Sequence, residues 1–186
     1  MKKYTLLASL FVGAAVPCSS LYAQDLSVDF TATVQETTCQ MSLAGISGTS
    51  IANASTNQYE MTLPSMGISA VVNESAESEG HFKLLPTKCD NTLRGLTMTM
   101  TGNLVNNSTT LIANDETSGA QNVGLALKRM GSSTLLSFDG STPIAWSQQE
   151  RTSGLDLTAA IRKTGSSDAV TAGKFKAKVI FTFNYY

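Results

Sequence analysis

The sequence is poor in the residues that most chemistry needs. It holds one histidine, one tryptophan, four prolines and three cysteines among 186 residues. The one histidine, His81, supports no Ser-His-Asp arrangement and no His-rich metal site, and at a strand start it reads as a structural or surface side chain. No Cys-x-x-Cys is present, so a redox reading falls away. Charged residues make up 15% of the chain, against about 25% in a typical soluble domain. With 13 basic and 14 acidic residues the net charge is −1, and no basic patch of a nucleic-acid binder stands out. No apolar run approaches the ~20 residues of a membrane span. These absences leave no catalytic, cofactor or metal set to assign, and no membrane insertion.

What is present begins with an address. Lys2 and Lys3 precede an apolar stretch from Leu6 to Val16, and Leu21-Tyr22-Ala23 offers a small residue at a cleavage position. We expect residues 1–23 to be a signal peptide and the mature chain to start at Gln24. Val16-Pro17 before Cys18 does not resemble a lipidation box. If Cys18 leaves with the signal, Cys39 and Cys89 remain, and an exported pair most simply forms one disulfide. Closing that loop is worth roughly 4 kcal/mol in the chain-entropy picture.

The body reads as strands. Leu26, Val28, Phe30, Ala32 and Val34 alternate with polar residues. So do Leu96, Met98 and Met100, then Val123, Leu125 and Leu127, then Leu155, Leu157, Ala159 and Ile161. Leu135 to Phe138, the turn signal Asp139-Gly140 and Ile144 to Trp146 read as a hairpin. The cleanest run places Phe175, Ala177, Val179, Phe181, Phe183 and Tyr185 on one face and Lys174, Lys176 and Lys178 on the other. No long segment has a helical period. The pattern predicts an all-β sandwich with one wet and one buried face per sheet.

Several smaller signals receive the plainer reading. Glu74, Glu77 and Glu79 lack the Asp/Asn-Gly spacing of calcium loops and read as a solvated loop. Met98 and Met100 read as core. Asn53, Asn73 and Asn107 open glycan-acceptor triplets but read as polar turns. The lysine stripe suits edge protection or contact with an acidic neighbour.

The run Gln24 to Gln35 poses the main question. A free, flat, apolar strand is an aggregation hazard unless it has a partner. Either it folds back as the first strand of its own sandwich, or it is donated to another molecule.

Together these residues resemble the type 1-like subunits of chaperone–usher fimbriae over the whole mature chain. Gly173 is fourteenth from the end and Tyr185 penultimate, with apolar alternation between them. Cys39 follows the N-terminal run, and Cys89 closes His81-Phe82-Lys83-Leu84-Leu85-Pro86-Thr87-Lys88. Val123 to Leu127 with Leu135, Phe138, Asp139 and Gly140 is similar to the family's middle hairpin. Leu155 to Gly165 and Val170 to Gly173 are similar to the lead into its last strands. Two departures are visible: Pro86 where the family has an apolar residue, implying irregular pairing near Cys89, and Ala32 where a glycine is common.

The resemblance implies an incomplete immunoglobulin-like β-sandwich lacking its final strand, completed by donor-strand exchange. It divides the chain into a signal peptide (1–23), an N-terminal donor-strand extension (24–36) and a pilin domain (37–186). Leu26, Val28, Phe30, Ala32 and Val34 become the donor strand. Gly173, Phe175, Ala177, Val179, Phe181, Phe183 and Tyr185 become the C-terminal strand beside the acceptor groove. The implied partners are neighbouring fimbrial subunits, a periplasmic chaperone and an outer-membrane usher. The implied place is a fimbrium on the cell surface, reached through the periplasm and supporting adhesion. The Ala32 and Pro86 departures favour a minor subunit. Burying Leu26, Val28, Phe30 and Val34 is worth roughly 6–12 kcal/mol before ordering costs. The alternative is a secreted, self-contained β-sandwich lectin whose first strand pairs within its own sheet.

Overall fold

The computed structural model describes residues 25–35, 39–89, 93–165 and 167–186, without the side chains of Asp25, Val34 and Gln35. The expected signal peptide, Cys18 included, lies outside the described residues.

Among the described residues, eleven strands form two sheets, with two short helices at their margins. The strands are β1 (Asp25–Gln35), β2 (Gln40–Ile46), β3 (Ser50–Ser55), β4 (Gln58–Gly67), β5 (Glu79–Thr87), β6 (Leu96–Gly102), β7 (Ile112–Ala113), β8 (Val123–Arg129), β9 (Ile144–Ala145), β10 (Leu155–Lys163) and β11 (Lys174–Tyr185). The helices are α1 (Ile68–Val72) and α2 (Gln148–Ser153). One sheet runs β3-β4-β1-β11-β6-β9 and the other β2-β5-β10-β8-β7. Their inner faces form a single core that includes Phe30, Phe82, Phe138, Phe175 and Phe181, with Met61, Met98 and Met100 among them. A two-layer sandwich is what the alternation dictates, because a sheet with one apolar face must bury it against another, and it agrees with the Ig-like sandwich that the resemblance implies.

Local chemistry sets the ends. Ser147 accepts from the Glu150 N–H while Glu150 accepts from the Ser147 N–H, a reciprocal cap that starts α2; Gly154, at φ +92°, ends it. Gly173 has φ +156°, and a Cβ there would stand 2.5 Å from the Ala120 nitrogen, so no other residue fits before β11. Cys39 and Cys89 are joined, with Cα atoms 4.2 Å apart, which ties the start of β2 to the end of β5.

The structure departs from the sequence reading in four places. The expected 135–146 hairpin does not form: Ile144 and Ala145 pair with β6, Leu135 bridges Lys128, and the Phe138 N–H donates to the Thr109 carbonyl. Asp139 still makes its turn, accepting from the Ser141 and Thr142 N–H groups, but both ends of that turn lie beside β6, where Asp139 bridges Thr101; the chain has crossed from β8 before reaching it. Pro86 causes no irregularity, since β2 and β5 stay in register from Ile46↔His81 to Gln40↔Thr87. It lies beyond Leu84, the last β5 residue paired to β10, where the strand has one neighbour only. Glu79 is not a solvated loop residue; it opens β5 and holds two cations, as described below. β10 is buried on both faces, because α1 and the 3-10 turn at Ala76–Ser78 cover Thr158, Ala160 and Arg162.

Candidate functional site

The site is the place of β1 in its sheet. Its alternation turns Leu26, Val28, Phe30 and Ala32 inward, each no more than 1% exposed, while Ser27 stays wet. The three large side chains alone are worth roughly 5–9 kcal/mol of burial. Phe30 meets Phe82 of the opposite sheet edge-on, centroids 6.0 Å apart at 65°.

β1 lies between β4 and β11. Against β11 it runs parallel, in unbroken register from Ser27↔Lys174 to Gln35↔Thr182, with Phe30 opposite Ala177 and Ala32 opposite Val179. Val34 pairs with Phe181 through its backbone; its side chain lies outside the described residues. Against β4 the strand runs antiparallel, with Phe30 opposite Met61 and Ala32 opposite Tyr59. One irregularity falls at Pro64–Ser65, where β4 has an extra residue between the Leu26↔Met66 and Val28↔Leu63 pairs. Small residues stand opposite the large rings in the ladders: Ala32 pairs with Tyr59, and Ala177 with Phe30. The Tyr59 hydroxyl donates to the Met41 carbonyl at 3.1 Å, tying the slot's rim to β2.

The strand that the resemblance gives to a neighbour is thus in this chain's own sheet. Of the two placements left open by the sequence, the isolated chain adopts the fold-back one. With β1 lifted out, β3-β4 and β11-β6-β9 would share no ladder, and the slot between them would expose Met61, Leu63, Met66, Phe175, Ala177 and Val179. All six are buried now. Of the predicted β11 residues, Phe175, Ala177, Val179, Phe181 and Phe183 face this core, Tyr185 packs against its margin, and Gly173 immediately precedes the strand. Phe183 also meets Trp146 edge-on at 6.0 Å, a contact outside the slot.

The wet face of the slot is charged. Lys174, Lys176 and Lys178 are exposed along β11, and Asp29 pairs directly with Lys176 in the ladder. Lys176 also meets Glu116 at 2.9 Å. That partner, then Asp29 and Glu60, raises the Lys176 pKa. With β1 seated β11 is internal, so the stripe protects no edge there; Lys176 answers acidic neighbours.

A second polar cluster lies on the outer face of the other sheet. The buried Arg162 donates to the Ser78 hydroxyl at 2.8 Å and pairs with Glu79, which Lys128 also meets at 2.8 Å. Burial raises the Glu79 pKa, but hydrogen bonds from Lys128 and Arg162 outweigh it and leave the carboxyl below its ordinary 4.5. His81 Nδ1 lies 2.9 Å from the Thr158 hydroxyl. Among the described residues, no group of three His, Cys, Asp or Glu is placed to hold a metal ion, and no helix is long and apolar enough to cross a membrane. Sequence reasoning missed β4, although Tyr59, Met61 and Leu63 alternate with Glu60 and Thr62 and signalled it.

Comparison with known proteins adds three findings. A family model described as "Fimbrial protein" matches residues 28–186. The chain is 34% identical, over 173 residues, to an uncharacterized fimbrial-like protein, YadM, of Escherichia coli (strain K12), covering 89% of each. The fold is similar to that of the P pilus rod subunit PapA, with TM-score 0.54 at 20% identity, over 75% of this chain and 93% of that one.

Proposed function

The chain belongs to the fimbrial protein family, and from that premise we propose that it joins its neighbours by strand donation. It is a structural subunit of a fimbrium, associating with other subunits at the cell surface. In the proposed reading, residues 24–36 of one copy enter the slot between β4 and β11 of the next, with Leu26, Val28, Phe30, Ala32 and Val34 facing the core. Strand addition of this kind draws affinity from main-chain ladders and specificity from pockets for alternate side chains.

The observation that carries the reading is the position of β1. It is central in its sheet, apolar on one face, and connected to the rest of the described residues through 36–38 alone. An identical strand from another copy offers the slot the same side chains. A periplasmic chaperone would fill the slot before assembly, an outer-membrane usher would receive the subunit, and residues 1–23 would direct export. Adhesion through the finished fibre completes the proposal. A minor rather than a rod-forming role is supported by Ala32 alone, since Pro86 sits in a regular ladder.

Deleting residues 24–35 tests this. The shortened chain is expected to fold when a peptide of those residues is supplied and to fail without it. It should accept a neighbour's strand yet donate none, ending a fibre. A self-contained lectin would lose its fold whatever peptide is present, and that result would overturn the proposal.

A further inference from the structure

β4 and β11 run in opposite directions, because β1 is antiparallel to one and parallel to the other. Any strand between them therefore makes one parallel and one antiparallel ladder, whichever way it points. Alternation centred on Phe30 also survives reversal, since period two is symmetric. The slot by itself does not select a direction.

The connection does. Only four Cα steps separate Gln35 from Cys39, a reach of about 14 Å at full extension. Cys39 is pinned to Cys89 at the end of β5. β1 from Asp25 to Gln35 spans roughly 33 Å. Reversed in its own slot, Gln35 would lie where Asp25 lies now, out of reach of Cys39. The chain's own strand can fill the slot only parallel to β11.

We propose that β1 is an internal plug: the chain caps its own slot in the one direction its short tether allows, and must withdraw that strand before the slot can take another. This rests on the strand-donation reading above. It assigns the free chain a closed, assembly-inactive state whose opening sets the pace of exchange. The plug is held by the same burial that would join two subunits, and its tether returns it to the slot faster than a free strand arrives.

The test locks the plug. Thr31 and Lys178 are ladder partners on the wet face, and adjacent strands hold such Cα atoms within disulfide range. The full mature chain carrying Thr31→Cys and Lys178→Cys is compared with each single variant, its thiol capped. The probe is a fluorescein-labelled peptide of residues 24–35. The bridge is expected within one chain. The single variants should take up peptide at a rate that levels off as peptide is raised, because withdrawal is limiting. The bridged chain should be slower by about 100-fold or more. Asp29→Cys with Lys176→Cys, a second pair on the same ladder, repeats the lock if the first variant folds poorly. Equal uptake by bridged and single variants would overturn the plug, as would a rate rising in simple proportion to peptide. Single variants that take up no peptide even when refolded in its presence would instead remove the strand-donation reading, and the plug with it.

Discussion

Replacing Phe30 by Ala probes both the slot and its occupant. Phe30 is 1% exposed and lies edge-on to Phe82 at 6.0 Å. Truncating a buried phenylalanine costs about 3–5 kcal/mol, of which the ring pair accounts for about 0.5–1.5 kcal/mol. In a chain of this size each kcal/mol moves Tm by about 2–4 °C, so the variant should melt about 6–20 °C lower. Urea unfolding followed by fluorescence of the buried Trp146 reads the loss directly. Phe82→Ala removes the other half of the pair and should fall by a similar amount. The two variants then part company. A peptide of residues 24–35 brings an intact phenylalanine to the Phe30→Ala slot and should restore up to about 2.7 kcal/mol at a hundredfold excess over its Kd. The same peptide offers the Phe82→Ala chain nothing its own strand lacks. A loss below about 1 kcal/mol for Phe30→Ala, or equal rescue of both variants, would refute the placement of Phe30 as the anchor of a replaceable strand.

Two further outcomes follow from other parts of the molecule. Glu79 titrates below its ordinary 4.5 despite burial, because Lys128 and Arg162 hold it charged. Its contribution is therefore full above that value and lost as pH falls through the lowered one, so urea midpoints should drop on acidification below pH 4.5, and Glu79→Gln should flatten that part of the profile. Replacing Cys39 and Cys89 together by Ala should cost roughly 4 kcal/mol, read from denaturant midpoints; an unchanged midpoint would show that the loop is closed by packing alone.

The fold class was legible because β1, β6, β8, β10 and β11 keep strict alternation with β-branched and aromatic residues. β2 and β3 were not legible: Gln40–Ile46 mixes Met, Ser, Ala and Gly, and Ser50–Ser55 is an exposed edge with no apolar stripe to read. The false hairpin at 135–146 arose because Asp139-Gly140 announces a turn but not which strand follows; Ile144 had β6 to pair with, a choice made by tertiary contact. Glu79 misled for a similar reason, since Lys128 and Arg162 reach it from strands about fifty and eighty residues further along the sequence. The inward-facing residues of β1 were readable from their pattern. Their direction was not, because it depends on how far Gln35 can lie from a cysteine held by a distant strand.

The sulfur atoms beside the slot have a consequence of their own. Met61 and Met66 face Phe30 and Leu26 across the ladder and are sealed from water by β1, while Met130 stands 46% exposed on the far surface. Thioethers oxidise where peroxide can reach them, and the sulfoxide is polar. A subunit that has kept its strand seated throughout its life should carry oxygen on Met130 alone. One that spent time unoccupied would bear the mark on Met61 and Met66 as well, a chemical memory that outlasts the vacancy and resists reseating of any strand.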